Sequence, residues 1–122
     1  MPIRAAAAAL ALAVFSCAAA EPATPAPDPS LAVYATPATL VDIGNGRKLN
    51  LRCSGEGRPV VMLESGATAD SMAWYKVQPP LAKSTKVCAY DRAGFGFSDD
   101  GPLPRDLDAD AKDLYALIHA AK

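Results

Sequence analysis

From Lys86 to Ser98 the chain runs Lys86-Val87-Cys88-Ala89-Tyr90-Asp91-Arg92-Ala93-Gly94-Phe95-Gly96-Phe97-Ser98, and this stretch constrains the fold more than any other. Val87 to Tyr90 is short, apolar, and β-branched or aromatic at its ends, the make-up of a buried strand. Asp91 and Arg92 are the first polar residues after it. Gly94 and Gly96 give the following turn a backbone freedom that residues with side chains lack. A buried strand that ends in a charged pair and a glycine-rich turn is how an open α/β sheet delivers chain to its carboxyl edge, where ligands bind. The expected fold class is α/β.

The flanking segments support that class. Thr39 to Ile43 and Lys48 to Cys53 alternate apolar and polar residues as half-buried strands do. Gly44-Asn45-Gly46 lies between them, and Asn-Gly accepts positive φ at both central positions of a tight antiparallel hairpin. Ser54 to Arg58 is a second turn. Pro59 to Leu63 loses the alternation and becomes continuously apolar, as in a strand of a parallel sheet covered on both faces. Asp70 or Ser71 can cap a helix that offers Met72, Trp74, Tyr75 and Leu81 to the core, and Pro79-Pro80 ends or kinks it. The return to Val87 through a helix implies a parallel β-α-β crossover. Asp106 caps a second helix, with Asp108 and Asp110 in its first turn, where the helix dipole favours anions. Leu107, Ala111, Leu114, Leu117 and Ile118 form its apolar stripe.

The 122 residues allow one domain, and a formal charge of −1 gives no electrostatic footprint for nucleic acid or an acidic membrane surface. The apolar fraction of 51% is inflated by the alanine-rich start. Residues 1–20 have the make-up of a signal peptide: Arg4 gives the positive region, Ala5 to Phe15 the apolar run, and Ala18-Ala19-Ala20 a small-residue cleavage site. That run is shorter than the ~18 apolar residues a spanning helix needs. Val14-Phe15-Ser16-Cys17 resembles a bacterial lipoprotein box, although Phe15 is bulkier than the pattern usually takes. An exported protein, periplasmic or secreted, is therefore expected, with membrane attachment only if Cys17 is lipidated. Residues 21–38, rich in proline and alanine, are expected to be an extended tether outside the fold.

Val60-Val61-Met62-Leu63-Glu64-Ser65-Gly66, Trp74, Leu81 and the stretch Tyr90 to Ser98 together resemble the α/β-hydrolase family in its N-terminal part. The resemblance covers about Thr39 to Lys122, so residues 39–122 are expected to form the N-terminal part of an α/β-hydrolase domain, truncated before the nucleophile elbow. It implies a parent activity of ester hydrolysis on a small-molecule substrate, by a serine beyond this chain. The alternatives are a non-catalytic exported remnant or binding module with the same half-fold, or another enzyme on this scaffold, such as a dehalogenase or peptidase.

A serine hydrolase of this fold carries its nucleophile in Gly-x-Ser-x-Gly, and no serine here has that setting. Ser98 is preceded correctly by Gly96 but followed by Asp99-Asp100-Gly101-Pro102, a loop and not an elbow helix. His119, the one histidine, sits near the end of an amphipathic helix with no cysteine or second histidine beside it for a metal. No catalytic residue, metal ligand or cofactor site is therefore expected. In the proteins this chain is similar to, the loop after the third strand lends one backbone N–H to the oxyanion hole, from the position of Ala67. The residue before Gly66 is more usually histidine, and here it is Ser65. Asp91 and Arg92 are expected to fix the turn, and Gly66, Phe95 and Phe97 to line the substrate pocket.

Two further expectations follow from the resemblance. Strand two would run antiparallel beside strand four, which places Cys53 near Cys88 for a disulfide. Strand Pro59–Leu63 would lack its second neighbour, leaving an open apolar edge that makes the isolated chain inactive and prone to associate.

Overall fold

The structure, a computed structural model, describes residues 25–121. The expected signal peptide at 1–20 with Cys17, the first residues of the expected tether and Lys122 lie outside the described residues. Four strands form one mixed sheet in the order β1-β2-β4-β3, with β1 at Thr39–Asp42, β2 at Lys48–Ser54, β3 at Val61–Leu63 and β4 at Val87–Tyr90. β1 and β2 pair antiparallel through a turn in which Asn45 and Gly46 have φ of 56° and 73°, closed by Arg47 N–H donating to Gly44 O at 3.1 Å. β2 pairs antiparallel with β4, and β3 pairs parallel with β4. Among the described residues β3 has no neighbour on its other side.

The register decides which side chains meet. Leu51 lies opposite Tyr90 and Cys53 opposite Cys88, so these four share a face. Leu51, Tyr90 and Cys88 form the buried core with Leu49, Ala93 and Leu117, backed by Val41, Ile43, Met62 and Leu114, and the exposed Cys53 is joined to Cys88 in a disulfide. Leu117 comes from helix α2, Leu107–Ala120, capped by Asp106 accepting from Ala109 N–H at 2.9 Å. It is fully buried, a contribution of about 2 kcal/mol.

The α2 stripe also holds at Leu114 and is corrected at Leu107 and Ala111. Leu107 is 83% exposed and Ala111 also faces out, Ile118 is 48% exposed in an open groove beside Met62 and Cys88, and Asp110, Asp113, Leu114 and Leu117 face in. The reason is electrostatic. Arg47 of the hairpin grips Asp113 with two bonds, of 2.9 and 2.6 Å, and Arg105 reaches both Asp113 and Asp110. These guanidinium–carboxylate pairs are largely shielded from water, so they set the helix's rotation more firmly than exposed leucines do.

The other face of the sheet carries two short pieces in place of one helix. Ser71–Trp74 is a 3-10 turn capped by Asp70, and α1 is Gln78–Leu81. Pro79 and Pro80 lie in the first turn of α1, where a missing N–H costs nothing, so they begin a helix and do not end one. Met72 is 44% exposed, and Trp74, Tyr75 and Leu81 are only half-buried. The inward residues are Ser71 and Gln78. Gln78 Nε2 donates to Arg52 O at 2.8 Å and Val87 O at 3.0 Å, tying α1 to the ends of β2 and β4. β2 is also more enclosed than a half-buried strand, because Asn50 on its polar side is fully buried.

The tether is corrected at its second half. Pro29–Ala35 is a 3-10 helix, capped by Asp28, which accepts from Ser30 N–H. Tyr34 places its ring 4.7 Å from the Arg52 guanidinium, Arg52 donates to Thr36 O at 2.8 Å, and Ala38 N–H donates to Asn50 Oδ1 at 2.7 Å. Proline at the helix start and an arginine on the sheet give this segment something to pack on, which composition does not reveal.

Candidate functional site

The carboxyl ends of β3 and β4 lie side by side, because the pair is parallel with Leu63 opposite Ala89. The chain leaving β4 is fixed by Asp91, which is 1% exposed. Its Oδ1 accepts from Ser71 N–H at 2.8 Å, and its Oδ2 from Asn50 Nδ2 at 2.8 Å and Phe97 N–H at 3.0 Å. Burial works against ionisation of Asp91, but the bonds from Phe97, Ser71 and Asn50 together outweigh it and hold the carboxyl below its usual range. Ser98 Oγ donates to Asp91 O at 2.6 Å and accepts from Asn50 N–H at 2.9 Å. Both capacities of that hydroxyl are spent on the turn. Gly96, at φ 52°, lies against Asp91, and a Cβ there would collide with the carboxylate. Since three bonds prevent Asp91 from stepping aside, Gly96→Ala is expected to destabilise the protein by about 3 kcal/mol in urea denaturation, from the left-handed backbone and the collision together. A loss below about 1 kcal/mol would show the turn to be adaptable.

Arg92, the next residue, points the other way. Its Nε donates to Glu64 Oε1 at 2.5 Å, and Nη1 lies 3.5 Å from Asp110. Tyr90 OH donates to Glu64 Oε2 at 2.6 Å, and burial, then this bond, raise the phenol's pKa. Asp91 therefore holds the turn while Arg92 reaches across to β3 and α2.

Glu64 leads into the loop after β3. Ser65 is 2% exposed and donates from Oγ to Asp70 O at 2.8 Å. Ala69 N–H donates to Gly66 O at 3.1 Å, closing a turn with Ala67 and Thr68 at its exposed centre. Ala67 N–H meets no acceptor among the described residues. An unspent backbone donor on a fixed turn, at the carboxyl edge of a parallel pair, can stabilise developing negative charge.

The other expected pocket residues are less gathered. Phe97 is 39% exposed and joins Tyr34, Ser71, Met72 and Asp91 around a cavity of about 30 Å³. Phe95 is half-buried, and neither it, Gly66 nor Ala67 lines that cavity. A larger groove, about 670 Å³, opens on the core face beside Val60, Met62, Cys88 and Ile118, away from all four. His119 is exposed, with Nδ1 2.8 Å from Tyr115 O and its ring stacked on Tyr115 at 3.9 Å. Among the described residues no cluster of three or more potential ligands could hold a metal ion.

Sequence reasoning missed Asn50, Glu64 and Asp113 as organising residues. Asn50 could have been noticed as the one uncharged polar residue between two leucines in β2. Nothing local marks Asp113 as the partner of an arginine 66 residues away.

An antiparallel hairpin leading into a parallel pair, with helical layers on both faces, is the beginning of an α/β-hydrolase sheet, and this chain is an α/β-hydrolase-like N-terminal portion. No family model matches it. It is 41% identical over 70 residues to 2-hydroxymuconate semialdehyde hydrolase of Pseudomonas sp. strain CF600, a match covering 53% of this chain and 25% of that protein. Among solved structures, an α/β hydrolase from Sphaerobacter thermophilus DSM 20745 is 34% identical with a TM-score of 0.58, over 68% of this chain and 32% of that one. An esterase from Exiguobacterium antarcticum is 27% identical with a TM-score of 0.59, over 66% of this chain and 30% of that one. The chain thus spans about a quarter to a third of each of these three proteins.

Proposed function

We propose that this chain supplies the substrate-facing first part of an exported serine hydrolase acting on small esters, and that Ala67 N–H is one of its two oxyanion donors. The observation that carries the proposal is the unspent Ala67 N–H on the turn closed by Ala69 and Gly66. The esterase named among the solved structures supports the substrate class. In the proposed reaction a serine hydroxyl outside this chain adds to the ester carbonyl carbon, and a histidine takes its proton. The carbonyl oxygen becomes an oxyanion, and Ala67 N–H donates to it together with the N–H after the nucleophile. The tetrahedral species then expels the alcohol, which receives the proton from the histidine. Ser98 takes no part, because its hydroxyl is committed to Asp91 O and Asn50 N–H.

The test uses a fluorophosphonate probe and p-nitrophenyl esters, applied to the 122-residue chain and to the product of the reading frame continued beyond Lys122. The chain alone is expected to take no label and turn over no ester, and the longer product to be labelled in a Gly-x-Ser-x-Gly segment. The intact mass of the exported form is expected to begin at Glu21, or to show a lipidated Cys17. A label on Ser98, or a longer product inert to both reagents, would overturn the assignment.

A further inference from the structure

The oxyanion loop hangs from a strand with support on only one side. β3 is three residues long, its ladder with β4 stops at Leu63 and Ala89, and among the described residues nothing pairs with its other edge. One step further in the same register, Glu64 faces Tyr90, and side chains take over where the backbone ladder ends. Both Glu64 oxygens are engaged, Oε2 by Tyr90 OH at 2.6 Å and Oε1 by Arg92 Nε. Tyr90 and Arg92 are two residues apart, so they reach Glu64 from the same face of the extended chain. Arg92 is braced by Asp110 of α2, and Asp110 by Arg105 at 2.6 Å. Three residues after Glu64 comes Ala67.

We infer that Glu64 is a positioning residue for the oxyanion loop: clamped by Tyr90 and Arg92, it sets where the Ala67 N–H points. The inference rests on the oxyanion role proposed for Ala67. It concerns the end of the loop that leaves β3, since the far end is already anchored by Ser71 N–H on Asp91. The Gly66–Ala69 turn is internal to the loop and Ser65 Oγ bonds Asp70 O beside the Ser71 anchor, whereas Glu64 connects the start of the loop to β4 and, through Arg92 and Asp110, to α2.

The clamp is tested in the 122-residue chain by ¹⁵N relaxation at Ser65 to Ala69, and in the complete enzyme by ester kinetics. Glu64→Ala is expected to loosen these amides on the nanosecond scale and to lower kcat about 10- to 100-fold with KM within about twofold, the signature of a misplaced donor. Glu64→Gln keeps an acceptor for Arg92 and a polar partner for Tyr90, and is expected to restore loop order and most of kcat. Asp106→Ala, which removes the side-chain cap of α2 and has no bond to Glu64, Tyr90, Arg92 or Arg105, is expected to lower stability while leaving the loop amides unchanged. If Glu64→Ala does not fold, Tyr90→Phe tests one arm of the clamp, because it removes only the hydroxyl bond and leaves Arg92 in place, and is expected to loosen the loop amides by a smaller amount. Loop amides that stay ordered in these variants would overturn the clamp whatever the activity. A fall confined to KM would also overturn it. A wild-type complete protein that turns over no ester would instead overturn the hydrolase assignment, so the two failures are distinguishable.

Discussion

Asp91→Ala is expected to cost about 4 kcal/mol, because three buried donors lose their acceptor together. Ser71 N–H, Asn50 Nδ2 and Phe97 N–H all converge on a carboxylate that is 1% exposed. A domain of this size has only about 5–15 kcal/mol of stability in total, so the variant should be partly unfolded at neutral pH. Asp91→Asn separates charge from geometry. Turned so that its amide nitrogen faces Ser71, the asparagine keeps the bonds from Asn50 and Phe97 and loses one, for about 2 kcal/mol. Urea denaturation at pH 7 measures both, and losses under about 1 kcal/mol in both would mean that the turn is held by something else.

The same group gives a pH signature. The folded-state pKa of Asp91 is lowered below the ordinary 3.8, since its hydrogen bonds outweigh its burial. Asp113 is lowered likewise, its burial outweighed by the bonds from Arg47 and Arg105. A carboxyl whose folded pKa is depressed contributes stability above its unfolded pKa and loses it as pH falls through the folded one. Stability should therefore hold from neutral pH down to the ordinary carboxyl range and fall below it. In Asp91→Asn that acid limb should be shallower. An equally steep limb would exclude Asp91 as a source of it.

Reducing the Cys53–Cys88 disulfide is expected to lower stability by about 4 kcal/mol, the chain-entropy value for closing a loop of this length. The two cysteines are opposite one another in the β2–β4 ladder and are separated by 35 residues of sequence. That loop includes β3, the Gly66–Ala69 turn and both short helices of one face. The bridge therefore limits how far the unfolded chain can separate the two edges of the candidate site. Paired urea titrations of the oxidised and reduced protein, with Cys53→Ser/Cys88→Ser as the permanent equivalent, read the effect. Two titratable thiols in the unfolded, unreduced protein, or a difference under about 1 kcal/mol, would refute it.

Strands and turns were legible wherever a local pattern had a single structural outcome. Asn45-Gly46 permits a hairpin turn that few other pairs do, and Val87 to Tyr90 has no polar residue to keep it at a surface. The cap at Asp106 was legible for the same reason, since a carboxylate three residues before an unpaired N–H has one obvious use. The helical segments were harder to read. Periodicity located α2 and its inward Leu114 and Leu117 but also turned Leu107 and Ala111 inward, because a hydrophobicity pattern cannot register arginines waiting elsewhere on the sheet. Composition made residues 29–35 an extended tether, because whether a weakly apolar segment docks depends on the surface it meets.

By itself the sequence determined the α/β class, the hairpin, the central strand, the glycine turn after it and the position of the loop carrying Ala67. These are short-range matters, set by backbone freedom, side-chain alternation and caps within a few residues. Only the tertiary structure decided that Asn50, Ser71 and Phe97 converge on Asp91, that Arg47 and Arg105 turn α2 about its axis, and that Glu64 is held by Tyr90 and Arg92. Each of those depends on charges and donors brought together across the sheet from elsewhere in the chain. Their energies come from burial and from geometry at about 3 Å, which no local pattern encodes.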